Sequence, residues 1–581
     1  VRAARLPAGA GPRRGTGVSR RQGQFEVQVY QRDHWVIDCQ HSDETSAVAY
    51  ARAQVNQGRV EGVRVLKQWT RADGAVVENE LFCQFRPQNN RIMIQTIEHA
   101  ERCEAMPDYY GAESRMTVGR VLRSYLDQVV VTPTELMHNY AELKRLRDKD
   151  NLVPSAIGHV AQVQSGGTGG DTRGRRDEMF DVLEKMTERA RLAAKADLPS
   201  VKSIAFDKMR RELSARSGAD EGDYLSLVAL SRELVGMRNW GLKMGFLLNL
   251  VGTDGDIHPD SMALIDGVMA DILGSATMVQ DLLGQQPNLA AAIISLADLA
   301  DGKLDVSKRP GDDFAVPLNR LFAKRKVPAT RKVLLDWLRR QLRGNQPLNR
   351  HEPDRERETF EKLAGRLIRP GGVVGGGAVA EGLTLRRMQF IPEGGQIGRQ
   401  RAIEGVLADL RDAADKIRYL VALLGSGMAE SLGEFIRGRI SFLLADYVNF
   451  VNPHRSSKEN LERLTKLWRE MRDADAPPED RAMVAGIIDE LLVRYIEDTR
   501  LIEKLDDPTA LLRYRAIRLI QLCASGALES PKALEIARVR VVDHLRQPNF
   551  EQKFVADIKE PEAQAQALKD FFALLMKAGF N

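Results

Sequence analysis

The sequence predicts a mainly α-helical protein, built as irregular multi-helix bundles or arrays, with a small N-terminal α+β domain of order ββαββ. Three observations carry this. Period-two alternation of apolar residues is confined to residues 24–86. From there onward, polar capping residues recur ahead of apolar stripes at helical spacing. Aromatics are only 6% of the 581 residues, and the remaining apolar residues are mostly Leu, Ala, Val and Ile beside abundant Arg and Glu, which favours helix.

Residues 1–23 precede the first element. "VRAARLPAGAGPRRGTGVSRRQG" is rich in Gly, Pro and Arg and has no apolar core segment, so it reads as a disordered tail and not as a secretory signal. In "FEVQVYQ", Phe25, Val27 and Val29 alternate with polar neighbours, which predicts a strand. "HWVIDCQ" predicts a second. "DETSAVAYARAQVNQG" predicts a helix that Asp43 caps and Gly58 ends. "VEGVRVLKQW" and "AVVENELFCQF" predict two more strands around an Ala72-Asp73-Gly74 turn. Trp35 and Trp69 are candidate core or face residues of this 24–86 domain.

Residues 87–164 predict helices. Val118, Val121, Leu122 and Leu126 form one stripe. "TPTE" gives the next helix a complete start: Thr132 as cap, Pro133 in the first position, Glu135 as capping-box partner. "SGGTGGDTRGRR" at 165–176 predicts a linker. Two helical regions follow, 177–370 and 399–581, around a Gly-rich joint at 371–398. Within them Ser200 is expected to open a helix that Gly218 closes. Asp260 should open one long helix through Gly284, with Met262, Ile265, Met269, Ile272 and Leu273 as its stripe. Ser456 and Glu459 stand in capping-box register, and Asp507 and Ser530 are expected to cap the last helices. No stretch recurs at a fixed period, so bundles are expected over a regular solenoid.

The formal net charge of +5 is misleading. Six arginines (Arg2, Arg5, Arg13, Arg14, Arg20, Arg21) and no acid fall in residues 1–21; removing them from 85 Lys and Arg leaves 79 against 80 Asp and Glu. A balanced body argues against nucleic acid as a partner, except through that tail. No apolar run reaches the roughly 18 residues that cross a bilayer. Four scattered cysteines (Cys39, Cys83, Cys103, Cys523) do not make a disulfide framework, and a reducing cytoplasmic setting is expected.

The strongest candidate site is "RPGGVVGGGAVAEGL", with five glycines in residues 371–377. Gly371 and Gly376 have P-loop spacing, but Gly377 and Ala378 stand where Lys and Ser/Thr belong. Gly375, Gly377 and Ala380 fit the dinucleotide fingerprint formally, yet a helical pattern, "FEKLAGRLIRP", precedes them where a strand is required. The expected role is an interhelical joint. The alternative is a small phosphate-bearing ligand on Gly375, Gly376 and Gly377. Metal patterns are weak. Glu135 and His138 are a single Glu-x-x-His where a di-iron bundle needs two; His99 with Cys103, or Cys39, His41 and Cys83, lack a Cys-x-x-Cys. Asp254, Asp256 and Asp260 resemble a calcium loop, but Ile265 stands where its bidentate Glu belongs. No Gly-x-Ser-x-Gly or kinase signature occurs. No catalytic residue, metal or cofactor is therefore predicted.

"ESRMTVGRVLRSYLDQVVVTPTELMHNYAELKRL" (113–146) resembles a segment of large uncharacterised proteins of alphaproteobacteria, in which a small sheet module also precedes long helical regions. The resemblance covers part of the chain. It implies a bacterial cytoplasmic setting and brings no activity or site. The function expected on all of this is a non-catalytic interaction, scaffold or signalling-adaptor protein that binds other proteins.

Overall fold

Phe25, Val27 and Val29 fall on one face of their strand, and that face is the covered one. The computed structural model describes residues 24–31, 34–56, 60, 62–70, 76–85, 93–149, 151–166, 171–252, 255–307, 309–310 and 313–580. The Arg-rich tail, Gly58, the 72–74 turn, the Trp69 side chain, residues 167–170 of the expected linker and Asp254 lie outside them. The chain forms two units, 1–93 and 94–581.

In the first unit β1 (Gln24–Gln31), β2 (His34–His41), β3 (Gly62–Thr70) and β4 (Val76–Phe85) make an antiparallel sheet in the order β2-β1-β3-β4. Helix α1 (Glu44–Asn56) follows β2 in the chain. Asp43 caps it as expected, its carboxylate accepting the Ser46 N–H at 2.8 Å. Ala47, Ala51 and Val55 pack on Phe25, Val27, Val29, Val63 and Val65. The opposite face is polar at its centre. Glu26 accepts from Gln28, Gln40 and Gln68 at 2.6, 3.4 and 3.3 Å. The Arg64 guanidinium lies 4.6 Å from the centre of the Trp35 ring.

In the second unit helices pack on helices, and 67% of the described residues are helical. The capping boxes form as predicted: Glu135 N–H donates to Thr132 Oγ1 at 3.1 Å while Thr132 N–H donates to Glu135 Oε2 at 2.8 Å, and Ser456 and Glu459 repeat the arrangement. The expected stripe of Met262, Ile265, Met269, Ile272 and Leu273 is buried. Four local expectations are corrected. The helix expected from Asp260 to Gly284 is two, Pro259–Ile272 and Ala276–Leu283, set at 98°. The break falls at Gly274, where a Cβ would stand 2.5 Å from Arg123 Nη2, and the first half is capped by His258, not Asp260. Ser200 belongs to a turn, and the helix closed by Gly218 begins at Phe206. Asp507 closes a local turn on Thr509, ahead of helix Leu512–Ala524. Ser530 makes no side-chain cap.

Helix ends in this unit are closed by charged side chains from distant elements. Pro133, Pro328 and Pro531 each occupy the first turn of a helix, which leaves the next one or two N–H groups seeking an acceptor. Asp271 accepts Thr134 N–H at 2.9 Å. Asp266 accepts Ala329 and Thr330 N–H at 2.7 and 2.9 Å. Asp489 accepts Lys532 and Ala533 N–H at 2.9 and 3.1 Å, doing the work expected of Ser530. Arginines close C-terminal ends in the same way, where the carbonyls carry the negative pole. Arg232 donates to Ala193, Ala194 and Ala196 O. Arg309 donates to Leu282 and Leu283 O. The buried Arg386 donates to Gln341, Leu342 and Gln346 O.

Candidate functional site

The glycine run is more ordered than a joint. Ile368–Arg369 and Gly372–Val373 pair as a two-residue hairpin. Pro370 and Gly371 are its turn, and Gly371 has φ +101°, which suits the third position of a type II turn. A helix, Gly376–Met388, starts inside the run and is followed by Gly395–Asp409. Two glycines are required by packing. A Cβ on Gly377 would stand 2.7 Å from Gly425 O and 2.8 Å from Ala422 O, so this residue lets the helix approach Ala413–Leu424. Gly375 has φ +78°, and a Cβ there would meet Val379 Cγ2 at 2.6 Å. Backbone geometry thus accounts for these glycines without a ligand.

The run also lines a cleft of about 630 Å³, which Gly371, Gly372, Val373, Gly375 and Gly376, but not Gly377, share with Arg331, Arg418 and Arg469. These arginines come from three helices, Pro328–Arg343, Ala413–Leu424 and Ser457–Arg472, so no local spacing announces them. Each is already committed. Arg331 pairs with Asp301 at 3.0 Å, Arg418 with Glu470 at 2.8 Å and Asp415 at 2.6 Å, and Arg469 with Glu529 at 2.8 Å. Glu470 also accepts the Gly371 N–H at 2.9 Å. Glu470, Asp473 and Asp475 line the same cleft. Its charges balance, and an anion entering it gains little net field.

Several buried ionisable groups elsewhere are held by structural partners, whereas the buried hydroxyls of Tyr110 and Tyr224 have no hydrogen-bond partner among the described residues. Glu135 and Lys243 are both fully buried, with Lys243 Nζ 2.5 and 2.7 Å from the two carboxylate oxygens. Desolvation pushes the Glu135 carboxyl up and the Lys243 ammonium down, against their mutual attraction. His138 is not a partner of Glu135 in any ligand set. Its Nδ1 donates to Thr134 O at 2.7 Å, and its ring lies among Tyr110 and Tyr224. Arg189 stacks 3.6 Å from the Tyr224 ring centre and donates to Glu221. Burial pushes His138 down to about 3, which makes it a poor base near neutral pH. Asp506 accepts from Arg515, Arg540 and His544 at once. Burial pushes the Cys523 thiol up to about 11, which starves it of thiolate.

Among the described residues no three His, Cys, Asp or Glu side chains converge as a metal site. Cys39 Sγ lies 3.4 Å from His41 Nε2, a contact of two. Cys103 is buried, and its carbonyl accepts from Arg175 and Tyr109.

A surface outside these groups is the outer strand of the sheet, β2, which among the described residues pairs only with β1. On β2, Val36 is 40% and Ile37 58% exposed. Register places Ile37 opposite Gln28 and Trp35 opposite Tyr30, on the face away from α1, and Val36 opposite Val29 on the α1 face. Asp38 is the extra residue of a bulge, which divides the edge into regular stretches His34–Ile37 and Cys39–His41. The alternation of "HWVIDCQ" is imperfect because three apolar residues run together, and that irregularity is the one signal the sequence offered. No family model, no curated protein and no solved structure matches the chain.

Proposed function

We propose that this chain is a non-catalytic, protein-binding scaffold or adaptor of the bacterial cytoplasm, and that the His34–Ile37 edge takes up an extended segment of its partner. The observation that carries this is the run of partly exposed apolar residues on an edge strand that, among the described residues, pairs with no strand on its outer side. Edge strands normally carry charge to prevent pairing, and Trp35, Val36 and Ile37 carry none. Main-chain hydrogen bonds would supply affinity, and alternate side chains the specificity. Several buried ionisable groups support a non-catalytic role, since they serve helix ends and ion pairs. A photoreactive residue at position 37, introduced in the native host, tests the proposal. It should give a reproducible heterologous crosslink that the double variant V36K/I37K suppresses. Recovery of self-contacts alone would remove the basis for it.

A second reading rests on the coincidence of the glycine run with the 630 Å³ cleft. It assigns Gly375, Gly376 and Gly377 to a small phosphate-bearing ligand. Inorganic phosphate or nucleotides should then raise the unfolding temperature, and R469A should cancel the rise.

A further inference from the structure

We infer that the helices between Ala112 and Ala194 line a half-open binding site for a neutral, apolar small molecule. A cavity of about 160 Å³ lies among them. Leu136, Met137, Leu146, Val160 and Met186 represent its walls. Native interiors seldom keep voids much larger than a water, because the lining loses its packing partners. An apolar cavity of about 150 Å³ in another protein stays dry and takes benzene or xenon. The size and lining here are of that kind, and methionine walls adapt readily to the shape of a guest.

The rim of the cavity is a second observation. Residues 94–105 have neither helix nor strand, and Glu101 and Cys103 from this segment contribute to the lining. Hydrogen bonds tie this segment to the neighbouring helices. Gln95 N–H donates to Val121 O at 2.9 Å, Ile97 N–H to His159 Nε2 at 2.9 Å, and Gln164 Nε2 to Glu101 O at 2.6 Å. Arg175 holds the Cys103 carbonyl at 3.1 Å. The pocket is open on one side, which gives a guest a way in.

The lining also sets the charge of the guest. Among its described residues there is no Lys, Arg or His, and Glu101 is the ionisable acid. Glu101 is exposed, so an anionic group is penalised chiefly by its own desolvation in the apolar lining. A neutral aromatic ring or short alkyl chain does not meet that cost.

The test uses the full chain with benzene and benzoate as paired probes in ligand-observed NMR titrations. Benzene should bind saturably, and benzoate at least about tenfold more weakly for the reason of charge just given. Ala156 lines the cavity from helix Leu152–Gln164. A156F should abolish benzene binding without lowering the unfolding temperature. If A156F folds poorly, A156L, a smaller filling, should weaken binding in the same direction. The inference is overturned if benzene does not saturate, if benzoate binds equally well, or if the filled variants bind benzene as the parent does.

Discussion

Lys243 shows how much a single buried contact carries. Replacing it by Met leaves the Glu135 carboxylate with Thr132 alone in a dry interior. K243M should cost about 3–5 kcal/mol, the usual loss when one partner of a buried pair is removed; urea unfolding measures it. His138 makes a matching statement about pH. Its value falls from 6.5 to about 3 on folding, so between those limits the unfolded chain binds a proton that the folded chain does not. Its contribution is therefore intact above about pH 6.5 and is lost as pH falls, at up to about 1.4 kcal/mol per unit. Urea unfolding at pH 5.5 and 4.5 should show this slope reduced by about one proton in H138N. Equal slopes would mean that His138 is protonated in place. At this scale the sequence was partly legible. The roles of Thr132, Glu135, Ser456 and Asp43 are local, set by spacing of three residues, and were read from spacing. The partners of Glu135 and His138 come from Lys243 and Tyr224, about a hundred residues away, where no spacing rule reaches.

Helices were visible through their apolar stripes, and their ends less so. The contrast between Ser530 and Asp489 is the clearest case. Ser530 has the residue type and position of a cap, yet its hydroxyl is buried without a hydrogen-bond partner. Asp489, in the middle of helix Pro478–Asp498, accepts the two N–H groups instead. S530A should therefore change stability by less than about 0.5 kcal/mol, whereas D489A should cost roughly 1–3 kcal/mol by orphaning two donors. Equal losses would restore Ser530 as the cap. D266A should behave like D489A, because Asp266 serves the start of Pro328–Arg343. Gly377 tests the approach of two helices: G377A sets a methyl against two carbonyl oxygens and should cost about 1–3 kcal/mol as overpacking. The bend at Gly274 and the hairpin at 368–373 escaped the sequence for a physical reason. Two-residue strands have no period, and a helix with apolar residues continuing on both sides of a bend looks unbroken.

Over the whole molecule, fold class was the most legible property, because period two ends after residue 86 and helical spacing takes over. The glycine run was legible as an unusual segment but not as the wall of a cleft, since its arginines arrive from three separate helices. The apolar cavity was invisible, because its walls look like any helical core. Val36 and Ile37 are exposed on an outer strand of the described sheet, and the account of function stands on that edge. Amide hydrogen exchange on the complex with its captured partner tests that most directly. Binding should slow exchange on residues 34–37 of β2 and leave β4 unchanged. Protection confined to the helical unit, with β2 exchanging as in the free chain, would contradict the account.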